Sequence, residues 1–498
     1  MNPKEHLEKA IEINPDFSDA RFQLALLYIA DGEDDQAQPH LEKVIELIPE
    51  YAEAYRYLGL VLQRAKQYEE ARERFQQSIE LSPETAITYS NIALLFVEME
   101  QTEEAKYNLI QAIELDSNYA PSYYNLARLL IAPEEFEEAR KNYLTAIDID
   151  PNFRDAHYYM ARLLATGKKS TTDGSPLLEP DVEEAERLQR RAIEIDAEFE
   201  KAYYNLAQLL QKRDALAEAR EVLEKAIELN PGYGKAYFRL AMLLVEMEEP
   251  AAALENFKKS IECYPEDEQT YYRLAMLQYS QRDLATARDY FNKTIEIKPE
   301  FAEAHYNLAR LLEEEGDDES ARTHYNRTVE LSEEHAQGHY HLARLLERKD
   351  ILVEAKSNYE KAIAIDPNFA DAYYHLATLL RDPEEFETAR KYYQVAVDID
   401  PSHAMAHYNL AKLLGGGHKV SEDGTPMTAP ERDESVAQFT KAIKISPKYP
   451  NAYYHLALVL EDMKDFKKAQ MSLETAIKLN PEYAEAHYRL ALLLPKLQ

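Results

Sequence analysis

The sequence predicts an all-α protein assembled from repeats, and three observations carry that prediction. Prolines recur 34 residues apart, at Pro15, Pro49 and Pro83 and again at Pro231, Pro265 and Pro299, a period in the range of repeat architectures. Between them, large apolar residues lie three and four apart in two successive segments, the spacing that leaves each helix one buried stripe. Glycine is scarce, 12 in 498 residues, while 45% of the chain is hydrophobic, enough for several helical cores.

Each repeat opens on a first helix with text such as "AEAYRYLGLVL", "APSYYNLARLL" or "AEAHYNLARLL". A short polar turn follows, then a second helix such as "EEARKNYLTAIDIDP". The proline after it ends one hairpin and starts the next, because the residue before a proline is pushed out of the helical region. Small residues at fixed places, Ala127 with Ala139 and Ala377 with Ala389, let neighbouring helices approach closely. Residues 1–17 read as an unpaired second helix and 484–498 as an unpaired first helix. Thirteen full repeats fill 18–483, starting at 18, 52, 86, 120, 154, 200, 234, 268, 302, 336, 370, 404 and 450.

This pattern resembles the tetratricopeptide repeat (TPR) family over essentially the whole chain. In the repeat 120–153, Tyr123, Leu126, Ala127, Leu130, Ala139, Tyr143, Ala146 and Pro151 occupy the family's signature offsets. Tyr or His stands where the family usually has Trp, which this chain lacks. The resemblance implies a TPR solenoid, a right-handed superhelix of stacked helical hairpins about two superhelical turns long. First helices would line a concave groove, with second helices outside. It implies binding of proteins or peptides, and no chemistry.

Composition narrows the partners. A net charge of −34 opposes nucleic acid and anionic membrane surfaces by long-range repulsion. One cysteine, Cys263, excludes an internal disulfide framework and fits a reducing compartment. The opening "MNPKEHLEKAIEINP" has no apolar signal core, and no apolar run is long enough to span a bilayer. The expectation is a cytoplasmic chain with no nucleic-acid partner, no membrane insertion, no cofactor and no metal. His157, His305, His339, His407 and His487 all take the signature aromatic position, where packing explains them. No catalytic constellation is visible, so the chain is expected to be non-enzymatic.

Two departures from the period locate an internal duplication. The repeats 154–199 and 404–449 each carry 12 extra residues, "ATGKKSTTDGSPLLEPD" at 165–181 and "GGGHKVSEDGTPMTAPE" at 415–431. The flanks agree at the same offset of 250, so the chain reads as blocks 1–250 and 251–498. Neither loop has the strand and G-K-[ST] ending of a phosphate loop. Around Asp173 and Asp423 neither has the alternating carboxylates of a calcium loop. An ordered turn and a partner-binding loop both remain open for them.

In the family the groove face comprises first-helix positions 2, 5, 6, 9, 12 and 13. Position 6 is asparagine at Asn91, Asn125, Asn205, Asn307 and Asn409, whose amides can clamp an extended backbone, though Tyr-Asn here is also ordinary consensus text. Position 6 is Arg273 in another repeat. Position 9 is cationic at Arg128, Arg162, Arg310, Arg344 and Lys412. In so acidic a chain that row favours an extended acidic peptide. The competing reading is a salt bridge to the next repeat, such as Arg128 with Asp155 or Arg344 with Asp371. The family's chaperone-tail clamp uses Lys at position 5, and no repeat has it.

The two end helices are complementary halves of one repeat. At one end Tyr488, Leu490, Ala491 and Leu494 are expected to lie partly uncovered, and at the other Leu7, Ala10 and Ile11. A head-to-tail contact that does not close makes a filament; a longer array interrupted at a turn is the alternative. The functional expectation is therefore an interaction scaffold that assembles with copies of itself. The alternatives are an adaptor that binds an acidic peptide, or the substrate-recruiting arm of a larger enzyme.

Overall fold

The computed structural model describes residues 3–166, 181–415 and 429–497, and these are all-α, with no strand. The chain divides into two compact units, Met1–Pro265 and Glu266–Gln498. In the first, an opening helix Pro3–Ile13 is followed by hairpins from Ser18 to Cys263. In the second, hairpins from Glu268 to Leu479 precede a closing helix Ala484–Leu493.

The repeat at 302–335 shows why the hairpin forms. Its first helix, Ala302–Glu315, buries Ala304, Leu308, Ala309, Leu311 and Leu312 at three- and four-residue spacings. The second, Asp318–Leu331, buries Ala321, Tyr325 and Thr328. Alanines at the crossing, Ala309 and Ala321, are fully buried and leave room for the Tyr325 ring. Between the helices Gly316 is left-handed, with φ of 84°, and the next amide, Asp317 N–H, returns to Leu312 O at 2.9 Å. Asp317 then caps the second helix, its carboxylate accepting from Ser320 N–H at 3.1 Å, which satisfies an otherwise open first-turn amide.

The same turn position is left-handed in other repeats without glycine, at Lys66, Glu100, Asp214, Glu248, Arg282, Asp350 and Lys464. A side chain there costs about 1–2 kcal/mol. The return bond that follows, for instance Gln67 N–H to Leu62 O at 2.9 Å, offsets part of it. Two repeats leave the helix earlier: Ala120–Leu129 and Ala370–Leu379 stop short, and the 3₁₀ turns Pro133–Glu135 and Pro383–Glu385 follow. Proline explains both, since it lacks the amide the helix needs and excludes the helical region at the preceding residue.

The end helices are only partly covered. No residue of Pro3–Ile13 is buried, but Leu7, Ala10 and Ile11 are half-buried, and Leu7 and Ile11 pack against the first core. At the other end Tyr488 is 67% and Leu494 46% exposed, and Ala491 is exposed. Leu490 instead packs half-buried on the last core. Leu493, which the sequence pattern did not single out, is fully buried. The loop readings built on Asp173, Asp423 and "GGGHK" lie outside the described residues, apart from Gly415.

Candidate peptide-binding face of the first helices

In most repeats position 5 of the first helix supplies a ring that packs between its own second helix and the start of the next repeat. Tyr124 lies 4.9 Å from Phe153 and 6.2 Å from Tyr143. Tyr340 lies 4.6 Å from Phe369 and 6.0 Å from Tyr359. These tyrosines are buried, and burial pushes the hydroxyls of Tyr124 and Tyr340 up to about 12, so they remain neutral.

One turn further on, at position 9, five repeats place a cation over the ring. The guanidinium carbon of Arg128 is 5.5 Å from the Tyr124 centroid and 5.3 Å from that of Tyr159. Arg162 sits 5.8 Å from Tyr158, Arg310 5.8 Å from Tyr306, Arg344 5.8 Å from Tyr340, and the Lys412 ammonium 5.6 Å from Tyr408. Arg273, at position 6, lies 5.8 Å from Tyr272. Such contacts hold a cation in place without neutralising it.

The salt bridges expected of this row are not formed among the described residues. Asp155 is taken by Arg154 at 2.7 Å, and Asp371 faces His403 Nε2 at 3.3 Å. No carboxylate of the described residues lies at ion-pair distance from Arg128, Arg162, Arg310, Arg344 or Lys412. Arg128, Arg162 and Lys412 are exposed, and Arg310 and Arg344 half-buried.

The asparagines are committed differently. Asn307 donates to the Tyr272 hydroxyl of the preceding repeat at 3.1 Å and to Glu303 O at 2.8 Å. Asn409 engages the Tyr374 and Tyr393 hydroxyls. Asn205 faces the Tyr158 hydroxyl, yet its buried Nδ2 has no acceptor within hydrogen-bond distance. Asn125 is buried and Asn91 half-buried. Two members of the row, Asn307 and Asn409, therefore serve first as ties between neighbouring repeats.

A second set of groups was not evident from the sequence pattern: acceptors at position 12 facing position 6 of the next repeat. Glu313 accepts from the buried Tyr325 hydroxyl at 2.8 Å, with Arg348 at 3.1 Å and His341 Nδ1 at 3.8 Å. Glu347 repeats this with Tyr359 at 2.7 Å and His375 at 3.2 Å. Burial pushes the Glu313 carboxyl up, but His341, the Tyr325 hydroxyl and Arg348 outweigh it and hold the group at about 2. Glu347 is lowered by His375 and Tyr359 against the same burial. The signal was present as a spacing of 28 residues, Glu313 to His341 and Glu347 to His375. It recurs in Gln211 with Arg239 (3.1 Å) and Glu461 with Arg489 (3.5 Å).

Stacked helical hairpins that present a first-helix face in each unit define a repeat protein of the protein–protein interaction class. The chain belongs to the tetratricopeptide repeat family. Its models match residues 16–84 and 50–118, 96–163 and 212–278, 272–336 and 306–368, 358–391, 431–464 and 450–483. No curated protein matches the sequence. Among solved structures, YrrB, described as a TPR protein with an unusual peptide-binding site, is similar at 26% identity, over 40% of this chain and 96% of that one, with a TM-score of 0.35. The Cut9–Hcn1 hetero-tetramer of the APC/C is similar at 16% identity over 99% and 92%, with a TM-score of 0.37. Yeast Tom70 is similar at 17% identity over 90% and 96%, with a TM-score of 0.32. No helix of the described residues is long and apolar enough to cross a membrane.

Proposed function

We propose that this interaction scaffold binds an extended acidic peptide along its first-helix faces, through Arg128 and Arg162 in the first unit and Arg310, Arg344 and Lys412 in the second. One observation carries the reading: these cations rest on tyrosine faces, and no carboxylate of the described residues lies at ion-pair distance from them. N–H groups not engaged by the neighbouring tyrosines can then meet a ligand's carboxylates. Guanidinium–carboxylate hydrogen bonds contribute about 1.5–3 kcal/mol each when partly desolvated. The test uses fluorescein-labelled peptides rich in Asp and Glu, titrated by anisotropy at low and high salt. Arg128→Glu with Arg162→Glu, and separately Arg310→Glu with Arg344→Glu, should each weaken binding at least tenfold, with unchanged helical circular dichroism. Affinity indifferent to both pairs of reversals would remove the reading.

A second reading, self-assembly, is favoured by the closing helix. Tyr488 is 67% exposed, whereas the corresponding tyrosines in full repeats are covered by their own second helix. The opening helix of another copy carries Leu7 at the register where the covering ring or leucine of a full repeat sits. In this reading sedimentation velocity shows concentration-dependent growth that Tyr488→Glu abolishes; a monomer at every concentration rejects it.

A further inference from the structure

Outside the first-helix face, two histidines meet across one hairpin. His305 on the helix Ala302–Glu315 and His324 on the helix Asp318–Leu331 belong to one hairpin. Their Nδ1 atoms are 2.9 Å apart, with rings inclined at 32°. The other nitrogen of His305, Nε2, lies 3.1 Å from the Pro299 carbonyl oxygen. A carbonyl can only accept, so Nε2 carries the hydrogen and His305 Nδ1 presents a lone pair. His324 Nδ1 must then donate to it, and one proton bridges the two rings.

We propose that His305 and His324 form a binding site for a divalent transition-metal ion that prefers tetragonal nitrogen coordination, of the copper(II) or nickel(II) type. With bonds of about 2.0–2.1 Å, two imidazole nitrogens at a right angle about a metal lie about 2.9 Å apart, against about 3.4 Å at the tetrahedral angle. The separation present in the hairpin is thus that of a cis pair. The Pro299 carbonyl supplies the outer contact that fixes the tautomer and orientation of a metal-binding histidine. The pair borders an open cleft of about 480 Å³, also lined by Thr323, Asn326, Arg327 and Glu330, in which water can complete the coordination. Among the described residues no cluster of three metal-ligating side chains forms there, so two nitrogens are the chain's whole contribution.

Binding leaves the proton balance unchanged. The proton leaves His324 Nδ1, Nε2 of the same ring takes one up from solvent, and both imidazoles stay neutral. Arg327, the nearby cation, is paired with Glu330 at 3.1 Å, which moderates its repulsion of a metal. Burial, with His305 beside it, lowers His324 to about 4. Burial and Arg327 lower His305 against the Pro299 hydrogen bond.

The next repeat supplies a control. There His339 Nδ1 faces Asn358 Oδ1 at 2.8 Å in the corresponding places, so an asparagine fits this position; in His324→Asn its side-chain amide N–H can donate to His305 Nδ1 while a metal ligand is removed. Copper(II) is titrated into the full chain at neutral pH and followed by calorimetry and electron paramagnetic resonance. The expected result is one tight equivalent with two-nitrogen superhyperfine structure, lost in His324→Asn, whose metal-free melting curve matches the parent. An equivalent retained by the variant, a one-nitrogen spectrum or no binding would each overturn the proposal.

Discussion

Tyr325→Ala should destabilise the second unit by about 3–5 kcal/mol, the usual cost of deleting a fully buried aromatic side chain. The Tyr325 ring is inaccessible to solvent. It packs 6.1 Å from Tyr306 and stacks 5.7 Å from His341 at 13°, so it joins two repeats as well as the two helices of its own hairpin. Its hydroxyl is also one of the groups that hold the Glu313 carboxylate, and alanine removes that donor together with the ring. Tyr325→Phe separates the two effects: it keeps the packing and should cost about 1.5–3 kcal/mol, the range for a hydrogen bond to a charged acceptor. Repeat arrays gain stability from neighbour contacts and lose cooperativity when one is broken. The informative measurement is therefore hydrogen exchange by segment. Protection should fall across 302–365 in the alanine variant, while the first unit keeps its own. Uniform loss across both units would mean that the array unfolds as one block, and a loss below 1 kcal/mol would mean that the ring's site collapses around alanine.

Acid should loosen the same segment over the pH range in which the Glu313 carboxylate is lost. Glu313 has 14% of its side chain exposed and is held at about 2 in the folded chain against an ordinary value of 4.5. A depressed carboxyl contributes stability that is fully present above its unfolded value and is lost as the pH falls through the folded one. The window is therefore about pH 4.5 down to 2. The contribution at neutral pH is on the order of 2–3 kcal/mol, at the lower end because Arg348 is nearly half exposed. Glu347, lowered in the same direction by His375 and Tyr359, adds to it. Glu313→Gln removes the titration and strands Arg348 without its carboxylate partner on that side. Its protection in 302–348 should start lower at pH 7 and converge with the parent as the pH approaches 2. A parent and variant that stay separated by the same amount from pH 7 to 2 would show that the carboxylate is not ionised by its surroundings.

Much of the fold could be read from the chain because its information is local. The 34-residue period, the apolar spacing and the paired alanines each concern residues within one hairpin or its neighbour, and hairpins such as Ala302–Leu331 need nothing more distant. The left-handed turn was less legible, since only Gly32 and Gly316 mark it while Lys66 or Asp350 adopts it without glycine. The candidate face was half legible. The position-9 cations were located by number, while the choice between a free row and salt bridges to Asp155 and Asp371 was not legible, because it turns on Arg154 and His403 lying nearer to those carboxylates.

By itself the sequence determined the class of fold, the place of nearly every hairpin, and which residues share the first-helix face. Those properties follow from helical periodicity and repeat length, which any one hairpin expresses alone. Only the tertiary structure decided which of several reachable partners each polar side chain takes. Arg128 lies over Tyr124 and Tyr159, Glu313 gathers Tyr325, His341 and Arg348, and His305 meets His324 across the hairpin. The physical reason is that a spacing along the chain sets the face of a helix on which a side chain stands. Its partner depends on the angle at which the next helix crosses, and on ångström differences among competitors that only the packed arrangement resolves.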